Sequence, residues 1–443
     1  MTFRPPSKQL SIFGPLTVLL LFASWLVFFQ GSKYTVPFLN STLKNESPSW
    51  RDQYYQQVFG GSNQTSENIT SNLSELCRET EWRPNLYLNC TEIAAGLFNQ
   101  VNEIKNCIRM AIDAGAALIL PSINERNSSK LYSFHDEALR FRFGHFWDEA
   151  YIIDQLERSC PQMKVLPSDE PPIAEAKVVT VDAHRAPDFK EYLGYFDGTR
   201  TFRAFADKTV GEQNFTTIDF PIILRVTWTF LATNPENDPT GLDWRAWTEL
   251  SLLLRPTEIE RQLVQRLTES QLLKKDSYIG VHLRVETDAI GKWWDNFDMQ
   301  AAKNLKAIDV VAKQYREGPG NGENPYIFVA CGDPKAIEKF KQLAAKRGYS
   351  VVDKWGILAN DTESLSQLDT LSFDAKGLLD YAVLLNSYFF LGTLGSSFSY
   401  TVANMRSDLG RYPGSSFVVN DAGNSFSHLF MPPSKRANFP CCL

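Results

Sequence analysis

Hydrophobic and polar positions alternate most clearly between residues 277 and 406, where short apolar runs are separated by helical stripes. The runs predict strands, and the stripes, in which apolar residues recur every three or four positions, predict helices. The predicted strands are Tyr278 to Leu283, Tyr326 to Ala330, Ser350 to Val352 and Tyr388 to Leu391. The predicted helices are Phe297 to Tyr315, Pro334 to Ala345, Gly377 to Leu385 and one that ends near Met405. This alternation indicates a parallel sheet covered on both faces.

The earlier part of the chain repeats this theme less regularly. A helical apolar face over residues 101–111 precedes Gly115, a typical helix end, and a strand from Ala117 to Leu120. Residues 188–250 are mixed and aromatic, and no element is predicted there. We therefore expect two strand-helix lobes, residues 77–265 and 266–443, with a ligand outside the carboxyl ends of the strands.

The twenty residues from Leu10 to Phe29 contain no charge. At about 1.5 Å per residue, a helix of this length matches the roughly 30 Å hydrocarbon core of a bilayer. Arg4 and Lys8 precede it, and the tail, residues 1–9, has no acid, so we expect a type II signal anchor with a lumenal head. The alternative is a cleaved signal peptide, although the apolar run is long for one and no Ala-x-Ala-like site follows closely.

Candidate N-glycosylation sites follow the apolar run, and five of them fall between residues 40 and 74. The Asn-x-Ser/Thr triplets are at Asn40, Asn45, Asn63, Asn68, Asn72, Asn89, Asn127, Asn214 and Asn360. A polar stretch that carries bulky glycans packs no core, so residues 30–76 are predicted to form an extended stem.

The composition, 43% hydrophobic and 22% charged, excludes wholesale disorder. The net charge is −6 and no block of Lys or Arg occurs, so no nucleic-acid partner is expected. Seven cysteines allow two or three disulfides in an oxidising lumen, but the pairing cannot be deduced from the sequence. The terminal Cys441-Cys442-Leu443 is not a prenylation box, because Pro440 occupies the fourth position from the end.

Two segments place small or hydroxylated residues directly before a predicted helix. They are Ala94 to Gln100, with Gly96 and Asn99, and Gly392 to Ser399, with Ser396, Ser397 and Phe398. A helix N-terminus offers unpaired amide donors and partial positive charge, and small residues let an anion approach the backbone. Each segment could instead be a plain helix cap.

A third segment, Gly280 to Asp288, gathers polar side chains at the end of a strand. Strand alternation places His282, Arg284 and Glu286 on one face. A guanidinium there can hold a phosphate with two donors and stays charged at physiological pH. The alternative is an ion pair of Arg284 with Glu286 or Asp288.

In this order, the three segments resemble the Gly/Asn/Gln, His-Leu-Arg and Ser-Ser-Phe motifs of the GDP-fucose protein O-fucosyltransferase family. The resemblance covers residues 94–147 and 278–406. It implies a GT-B fold of two Rossmann-like lobes. It also implies inverting sugar transfer from a GDP-sugar without a metal, so that GDP-fucose is the donor and no cofactor is needed.

The resemblance further implies a set of donor contacts. These residues are Gly96, Asn99, His282, Arg284, Asp380, Ser396, Ser397 and Phe398. Arg284 matches the arginine that binds the diphosphate and is the catalytic candidate, and Asp380 falls where the family has a carboxylate that contacts guanine. The Ser396 to Phe398 segment would hold the diphosphate and stack near the base.

The sequence identifies no general base. Residues 96–100 lack the glutamate that some family members carry there, and only Glu92 and Glu103 lie nearby. No metal site is expected: no Asp-x-Asp occurs, and the nearest variants, residues 286–288 and 361–363, are weak grounds for one.

The leading hypothesis is a membrane-anchored fucosyltransferase of the Golgi or endoplasmic reticulum that acts on a hydroxyl of a secretory-pathway protein or glycan. One alternative is a non-catalytic lumenal binding protein on the same scaffold, because a fold does not guarantee chemistry. Another is a transferase that uses a different nucleotide sugar. A structural cell-surface glycoprotein would need no cleft at all.

Overall fold

The computed structural model of the chain describes residues 50–60, 70–91, 93, 96–126, 140–168, 173–182, 201–210, 220–227, 241–286, 294–393, 395–410, 413–419 and 426–428. The predicted anchor, Leu10 to Phe29, lies outside these ranges. Within them, no helix is both long enough and apolar enough to cross a membrane.

Two parallel sheets organise the described residues. The strands are β1 (Leu86–Thr91), β2 (Ala117–Ile119), β3 (Ile123–Asn124), β4 (Arg140–Phe141), β5 (Val165–Leu166), β6 (Lys177–Asp182), β7 (Ile222–Thr227), β8 (Tyr278–His282), β9 (Tyr326–Ala330), β10 (Val351–Val352), β11 (Phe389–Gly392), β12 (Ser416–Val419) and β13 (Phe426–His428). The first sheet has the order β5-β2-β1-β7-β6, and all its pairs are parallel. The second has the order β10-β9-β8-β11-β12-β13, with β13 antiparallel. The predicted α/β class with parallel sheets is confirmed.

Helices connect the strands and cover the sheets. They are α1 (Trp50–Phe59), α2 (Ser71–Arg78), α3 (Leu97–Ala114), α4 (Glu149–Ser159), α5 (Thr201–Val210), α6 (Leu242–Leu250), α7 (Glu258–Thr268), α8 (Phe297–Glu317), α9 (Pro334–Ala345), α10 (Lys354–Leu358), α11 (Thr362–Thr370), α12 (Phe373–Leu385) and α13 (Ser397–Asp408). Short 3-10 turns occur at Phe143–His145, Gln271–Leu273 and Pro413–Ser415.

The second sheet is covered on both faces, as the sequence predicted. Ile279 and Val281 of β8 pack into a core with α8 and α9, whereas Tyr278 belongs to a larger core that includes α12 and α13. This larger core is continuous with the first sheet, where Leu86, Leu88 and Cys90 are fully buried. Strand alternation therefore divides the side chains between two hydrophobic layers.

Parallel register brings the strand ends together. His282 at the end of β8 pairs with Ala330 at the end of β9, and Val281 pairs with Leu391 of β11. The residues that follow these strands consequently share one edge of the sheet, which is where an open α/β sheet binds ligands.

The folded head begins earlier than the sequence predicted. Helices α1 and α2 fall within the predicted stem, residues 30–76, yet Tyr54, Val58 and Leu73 are buried in the main core. In addition, Glu249 of α6 accepts backbone N–H groups of Asn72 and Leu73 at the start of α2. The assignment of an extended stem is therefore wrong for these two helices, because their apolar faces pack. Residues 30–49 and 61–69 of the predicted stem lie outside the described residues.

Helix α7 spans the expected lobe boundary at residue 265. It packs against α10, α11 and α12, and also against α1. The boundary at residue 265 stays a prediction.

Two disulfides cross-link elements of the first lobe. Cys77 of α2 is bonded to Cys160 after α4, and Cys90 of β1 is bonded to Cys107 of α3. Cys331 is free and buried. The pairing could not be read from the sequence, and the terminal cysteines lie outside the described residues.

Three candidate glycosylation sites lie in the described part of the fold. Asn360 is exposed after α10, whereas Asn89 is half-buried in the central strand β1. The Asn72 Nδ2 donates to Glu249 Oε1 at 2.5 Å, and its Oδ1 accepts from Arg245 Nε at 2.8 Å. Of these three, Asn360 is the one whose side chain the fold leaves open to solvent. The other six candidates lie outside the described residues.

Candidate active site

All eight residues of the proposed donor-binding set line one cavity of about 780 Å³. They come from the start of α3, the end of β8, the middle of α12 and the start of α13. The segments are up to three hundred positions apart in sequence, and the fold brings them together at the shared strand edge. The structure therefore supplies the cleft that the sequence implied.

The first segment opens α3 at the cavity. Gly96 is the N-cap, and no acidic side chain occupies the first turn, so the helix N-terminus keeps its positive character. The Asn99 side chain lines the cavity, and its buried Oδ1 has no hydrogen-bond partner among the described residues. Ala94 and Ala95 of the predicted motif lie outside the described residues.

The Arg126 guanidinium lies close to Gly96 at the start of α3. A Cβ at Gly96 would lie 3.0 Å from the Arg126 Cζ. The guanidinium pairs with Asp374 in the first turn of α12 and lies 5.1 Å from the ring centroid of Phe373. Because no side chain intervenes at Gly96, an arginine of the first lobe reaches a carboxylate of the second.

The backbone of Arg284 is held by a side-chain amide. Gln300 Oε1 accepts the Arg284 N–H at 2.9 Å, and Gln300 Nε2 donates to the Arg284 carbonyl at 2.7 Å. The guanidinium forms an ion pair with Glu286 and lies 5.2 Å from the Trp294 ring centroid. Thus the ion pair weighed as an alternative is present, and Arg284 lines the cavity as well. Asp288 lies outside the described residues.

His282 belongs to a hydrogen-bonded network that joins two strand ends to α13. Its Nδ1 and the Ser399 Oγ are 2.8 Å apart, and Ser399 Oγ accepts the Thr393 N–H at 2.9 Å. Thr393 Oγ1 in turn donates to the His282 carbonyl at 2.8 Å. Burial, and then the Arg284 charge, lower the pKa of His282 to about 3. The imidazole is therefore neutral at pH 7 and too weak a base to take a proton from a hydroxyl.

The Ser-Ser-Phe segment begins α13 at the cavity. Ser396 is the N-cap, and Gly395 before it has a φ of 74°, a left-handed conformation that glycine adopts without strain. Phe398 also packs against other rings of the protein: its ring is 4.5 Å from the His282 ring and 5.0 Å from the Phe98 ring, measured between centroids. Both neighbours are protein side chains, so Phe398 contributes to packing between α3 and α13 besides lining the cavity.

Asp380 lines the cavity from α12 and is paired with a lysine. Its Oδ2 is 2.7 Å from Lys354 Nζ, and both side chains are almost completely buried. Burial is the main cause that raises the pKa of Asp380 to about 6, against the opposing field of Lys354. The carboxylate is thus ionised at pH 7 but loses its charge in mild acid.

Most of the carboxylates that line the cavity form ion pairs. Glu286, Asp374 and Asp380 are paired with a cation each, and Asp369 is exposed at the rim. Of the two acids considered near the first motif, Glu103 is buried and does not line the cavity, and Glu92 lies outside the described residues. Within the described ranges, no group of three or more His, Cys, Asp or Glu side chains could hold a metal ion.

Sequence reasoning missed several side chains of the cavity. They are Arg126, Trp294, Lys354, Trp355, Phe373 and Asp374. Two of these could have been found, because Lys354 and Trp355 follow the short strand β10 and parallel strands present such residues at the ligand edge. Arg126 gave no such signal, since its partner is 248 residues away in sequence.

Comparisons with known proteins identify the family to which the chain is similar. The model of the family described as "GDP-fucose protein O-fucosyltransferase" matches residues 87–409. None of the curated proteins matches the chain. Among solved structures, POFUT1 in complex with GDP is 15% identical with a TM-score of 0.42, and the match covers 74% of this chain and 96% of that one. FUT1 of Arabidopsis thaliana in complex with GDP is 13% identical with a TM-score of 0.39, and the match covers 89% of this chain and 83% of that one. NodZ from Bradyrhizobium is 14% identical with a TM-score of 0.38, and the match covers 79% of this chain and 100% of that one.

A strand-edge cleft lined by a guanidinium and two helix N-termini suits a ligand that carries phosphate groups. The match over residues 87–409 shows that this chain belongs to the GDP-fucose protein O-fucosyltransferase family, and it is a glycosyltransferase.

Proposed function

We propose that the chain transfers fucose from GDP-fucose to a hydroxyl group of a secretory-pathway protein or glycan, with inversion at the sugar carbon and without a metal. The observation that carries this proposal is the meeting of Arg284 with the N-termini of α3 and α13 at one cavity. Two parallel sheets with a cleft at their strand ends support a GT-B arrangement.

The geometry suits departure of a nucleoside diphosphate. In the transfer, the acceptor oxygen forms a bond to the sugar C1 while the C1–O bond to the β-phosphate breaks. The electron pair leaves with GDP, and the hydroxyl proton passes to a base. Arg284 and the backbone amides at the two helix starts would stabilise the growing negative charge more in the transition state than in the ground state. This positive charge is our reason for proposing metal-independent catalysis.

The test is release of GDP from GDP-fucose by the purified head, with an acceptor pool. We expect Arg284→Ala to lower the rate by about 100-fold or more, as for loss of a transition-state donor. Arg347→Ala is the matched control, because Arg347 forms an exposed ion pair with Asp309 away from the cavity. Full activity in Arg284→Ala would contradict the role of this arginine. Anomeric analysis of the product tests inversion, and activity after chelation tests metal independence.

A non-catalytic binder on the same scaffold is the second candidate, favoured by the pairing of the buried cavity carboxylates with cations. It predicts calorimetric GDP binding without turnover for any acceptor. A transferase for another sugar predicts turnover with a GDP-sugar other than GDP-fucose.

We also propose that the protein is a single-pass type II membrane protein with a lumenal head, in the Golgi or endoplasmic reticulum. The apolar run from Leu10 to Phe29 and the clustered glycosylation triplets support this topology. The two disulfides suit an oxidising compartment. Protease protection of the head in intact microsomes, and its loss when detergent is added, would support the topology. Cleavage of the head in sealed microsomes would contradict it.

A further inference from the structure

The side chain of Glu286 bridges the ends of two neighbouring strands at the cavity. Its Oε2 forms an ion pair with the guanidinium of Arg284, which follows β8. Its Oε1 accepts the N–H of Gly332, which follows β9, at 2.9 Å. The Glu286 side chain is only 8% exposed, so both interactions lie largely out of solvent. One carboxylate therefore joins a guanidinium that lines the cavity to the backbone of the adjacent strand end.

The absence of a side chain at Gly332 makes room for this bridge. A Cβ there would lie 2.8 Å from Glu286 Oε1 and 2.2 Å from Phe373 Cε2. The carboxylate and the aromatic ring thus fill the space beside Gly332. Because protein interiors are closely packed, this filling limits the positions that Glu286 Oε1 can take.

The contacts of Arg284 restrict its guanidinium as well as its backbone. Glu286 holds Nη1 through a single oxygen, since the other oxygen accepts the Gly332 N–H. The Trp294 ring centroid lies 5.2 Å from the Arg284 Cζ, and Gln300 makes two hydrogen bonds to the Arg284 backbone. A guanidinium carries five N–H donors in a rigid fork, so a contact at Nη1 orients the other donors too.

We propose that Glu286 is a positioning residue, which orients the Arg284 guanidinium toward the diphosphate before the donor binds. This inference rests on the proposed function and deepens it, because it explains how the cation that would stabilise the leaving diphosphate is set in place. The ion pair that the sequence offered as an alternative to a phosphate site is then a part of that site.

The charge of Glu286 by itself works against binding of an anion, so its position is what matters. A carboxylate beside Arg284 repels a diphosphate and competes with it for the guanidinium. Removal of this carboxylate should therefore not weaken the binding of GDP, since phosphate oxygens can draw the guanidinium toward themselves. In the transition state, by contrast, negative charge grows on the leaving diphosphate, and donors stabilise it best when they are already in place. A positioning role thus predicts a loss in kcat without a matching loss in GDP affinity.

Two measurements on the purified full-length chain test the inference: release of GDP from GDP-fucose with an acceptor pool, and calorimetric titration with GDP. Glu286→Gln should lower kcat by about ten-fold or more and change the dissociation constant of GDP by less than about three-fold. Glu286→Asp keeps the charge but is one methylene group shorter, so we expect it to lose one of the two contacts and to show a similar loss in kcat. Asp113→Asn is the matched control, because it removes the carboxylate of a buried ion pair with Arg109 outside the cavity. It should lower the melting temperature and leave kcat unchanged.

The outcomes separate this inference from the proposed function. If the wild type releases no GDP from GDP-fucose with any acceptor, both are overturned. If the wild type is active and Glu286→Gln keeps its kcat, the inference alone fails. It also fails if kcat, GDP affinity and melting temperature fall together, since Glu286 is then only structural. Wild-type kcat in Glu286→Asp would overturn the bridge to Gly332 as the cause. If Glu286→Gln does not fold, the kcat and GDP affinity of Glu286→Asp decide.

Discussion

Single side-chain amides hold the backbone at both sides of the cleft. The Gln300 amide makes two hydrogen bonds to the backbone of Arg284. In the same way, Gln100 Nε2 donates to the Asn124 carbonyl at 2.5 Å, and Gln100 Oε1 accepts the Asn124 N–H at 3.1 Å. Asn124 is two residues before Arg126, so each glutamine fixes a segment that carries an arginine. Gln100, which the sequence places in the first motif, is fully buried and supports the fold of the site rather than facing a ligand.

We expect Gln300→Leu to lower turnover by about ten-fold or more, because a small displacement of a charged group in a site is costly. The leucine removes both hydrogen bonds that Gln300 makes to the Arg284 backbone, so Arg284 can shift. Asn304→Leu is the control: Asn304 is also buried on α8, but its amide donates to the Gln300 carbonyl rather than to the Arg284 backbone. Rates and melting temperatures of both variants would be compared. Equal loss of activity in the two would contradict a positioning role for Gln300.

His282 predicts a pH dependence of stability. Its pKa in the folded protein is lowered to about 3, below the ordinary value of 6.5, so between these values the unfolded chain binds a proton that the folded one does not. The stability contributed by the neutral ring is present above pH 6.5 and is lost as pH falls toward 3. From pH 7.5 to 5 this loss is about 2 kcal/mol.

The measurement is urea denaturation of the wild type, His282→Asn and His145→Asn at both pH values. His145 is the matched histidine, partly exposed and paired with Glu125. His282→Asn should lose less stability on acidification than the wild type, and His145→Asn should resemble the wild type. The same acid sensitivity in all three proteins would show that His282 does not titrate as described.

Parts of the site were predictable at the level of residues and parts were not. Arg284 and Asp380 could be proposed because strand ends and family motifs point to them, and both line the cavity. The Arg284 partner Glu286 was one of two candidates, whereas the Asp380 partner Lys354 was not proposed, because a carboxylate near a strand end has many possible neighbours. Interactions such as Arg126 with Asp374 depend on the packing of two lobes, which no local pattern encodes.

Elements of the second lobe were predicted well because their patterns are local. Helix α9 and strand β9 have the predicted bounds, whereas α12 begins at Phe373, one turn before the predicted Gly377. The reason is that Ser372 caps the helix by accepting the Ala375 N–H. The first turn that follows is polar, so the apolar stripe that predicted this helix does not include it. In the first lobe, β6 and β7 were missed. The edge strand β6 is largely exposed, and β7 alternates buried with more exposed positions among aromatic segments.

The start of α3 predicts a substitution effect at the level of an element. In Gly96→Ala the new Cβ would lie 3.0 Å from the Arg126 Cζ, so the guanidinium must move and its pairing with Asp374 weakens. We expect loss of about 0.5 to 1.5 kcal/mol of stability, as for a side chain pushed off its preferred rotamer, together with reduced GDP affinity. Gly356→Ala in α10 is the control, because its nearest neighbour, Asp353, is at 3.8 Å. Thermal melts with and without GDP measure both effects, and a fully tolerated Gly96→Ala would contradict the close approach.

On the scale of the whole molecule, polar and aromatic contacts between described residues span the cleft. The polar contact joins Arg126 of the first lobe to Asp374 of the second. The aromatic contact joins Phe98 of α3 to Tyr381 and Phe398, with ring centroids 4.9 Å and 5.0 Å apart. Helices α3, α12 and α13 therefore meet behind the cavity, and these contacts set the distance between the groups that would hold the donor.

The polar contact should be worth far more than a surface ion pair, because the Asp374 side chain is only 1% exposed. In Arg126→Met this buried carboxylate keeps the Arg126 backbone N–H but loses the guanidinium, and we expect a loss of about 3 to 5 kcal/mol. The double variant Arg126→Met/Asp374→Asn should regain part of this stability, since no charge is left buried. Arg347→Met, at an exposed pair, should cost less than about 1 kcal/mol. The free energies of unfolding of the single and double variants in urea complete a double-mutant cycle. A double variant whose loss equals the sum of the two single losses would show that the two side chains are not coupled across the cleft.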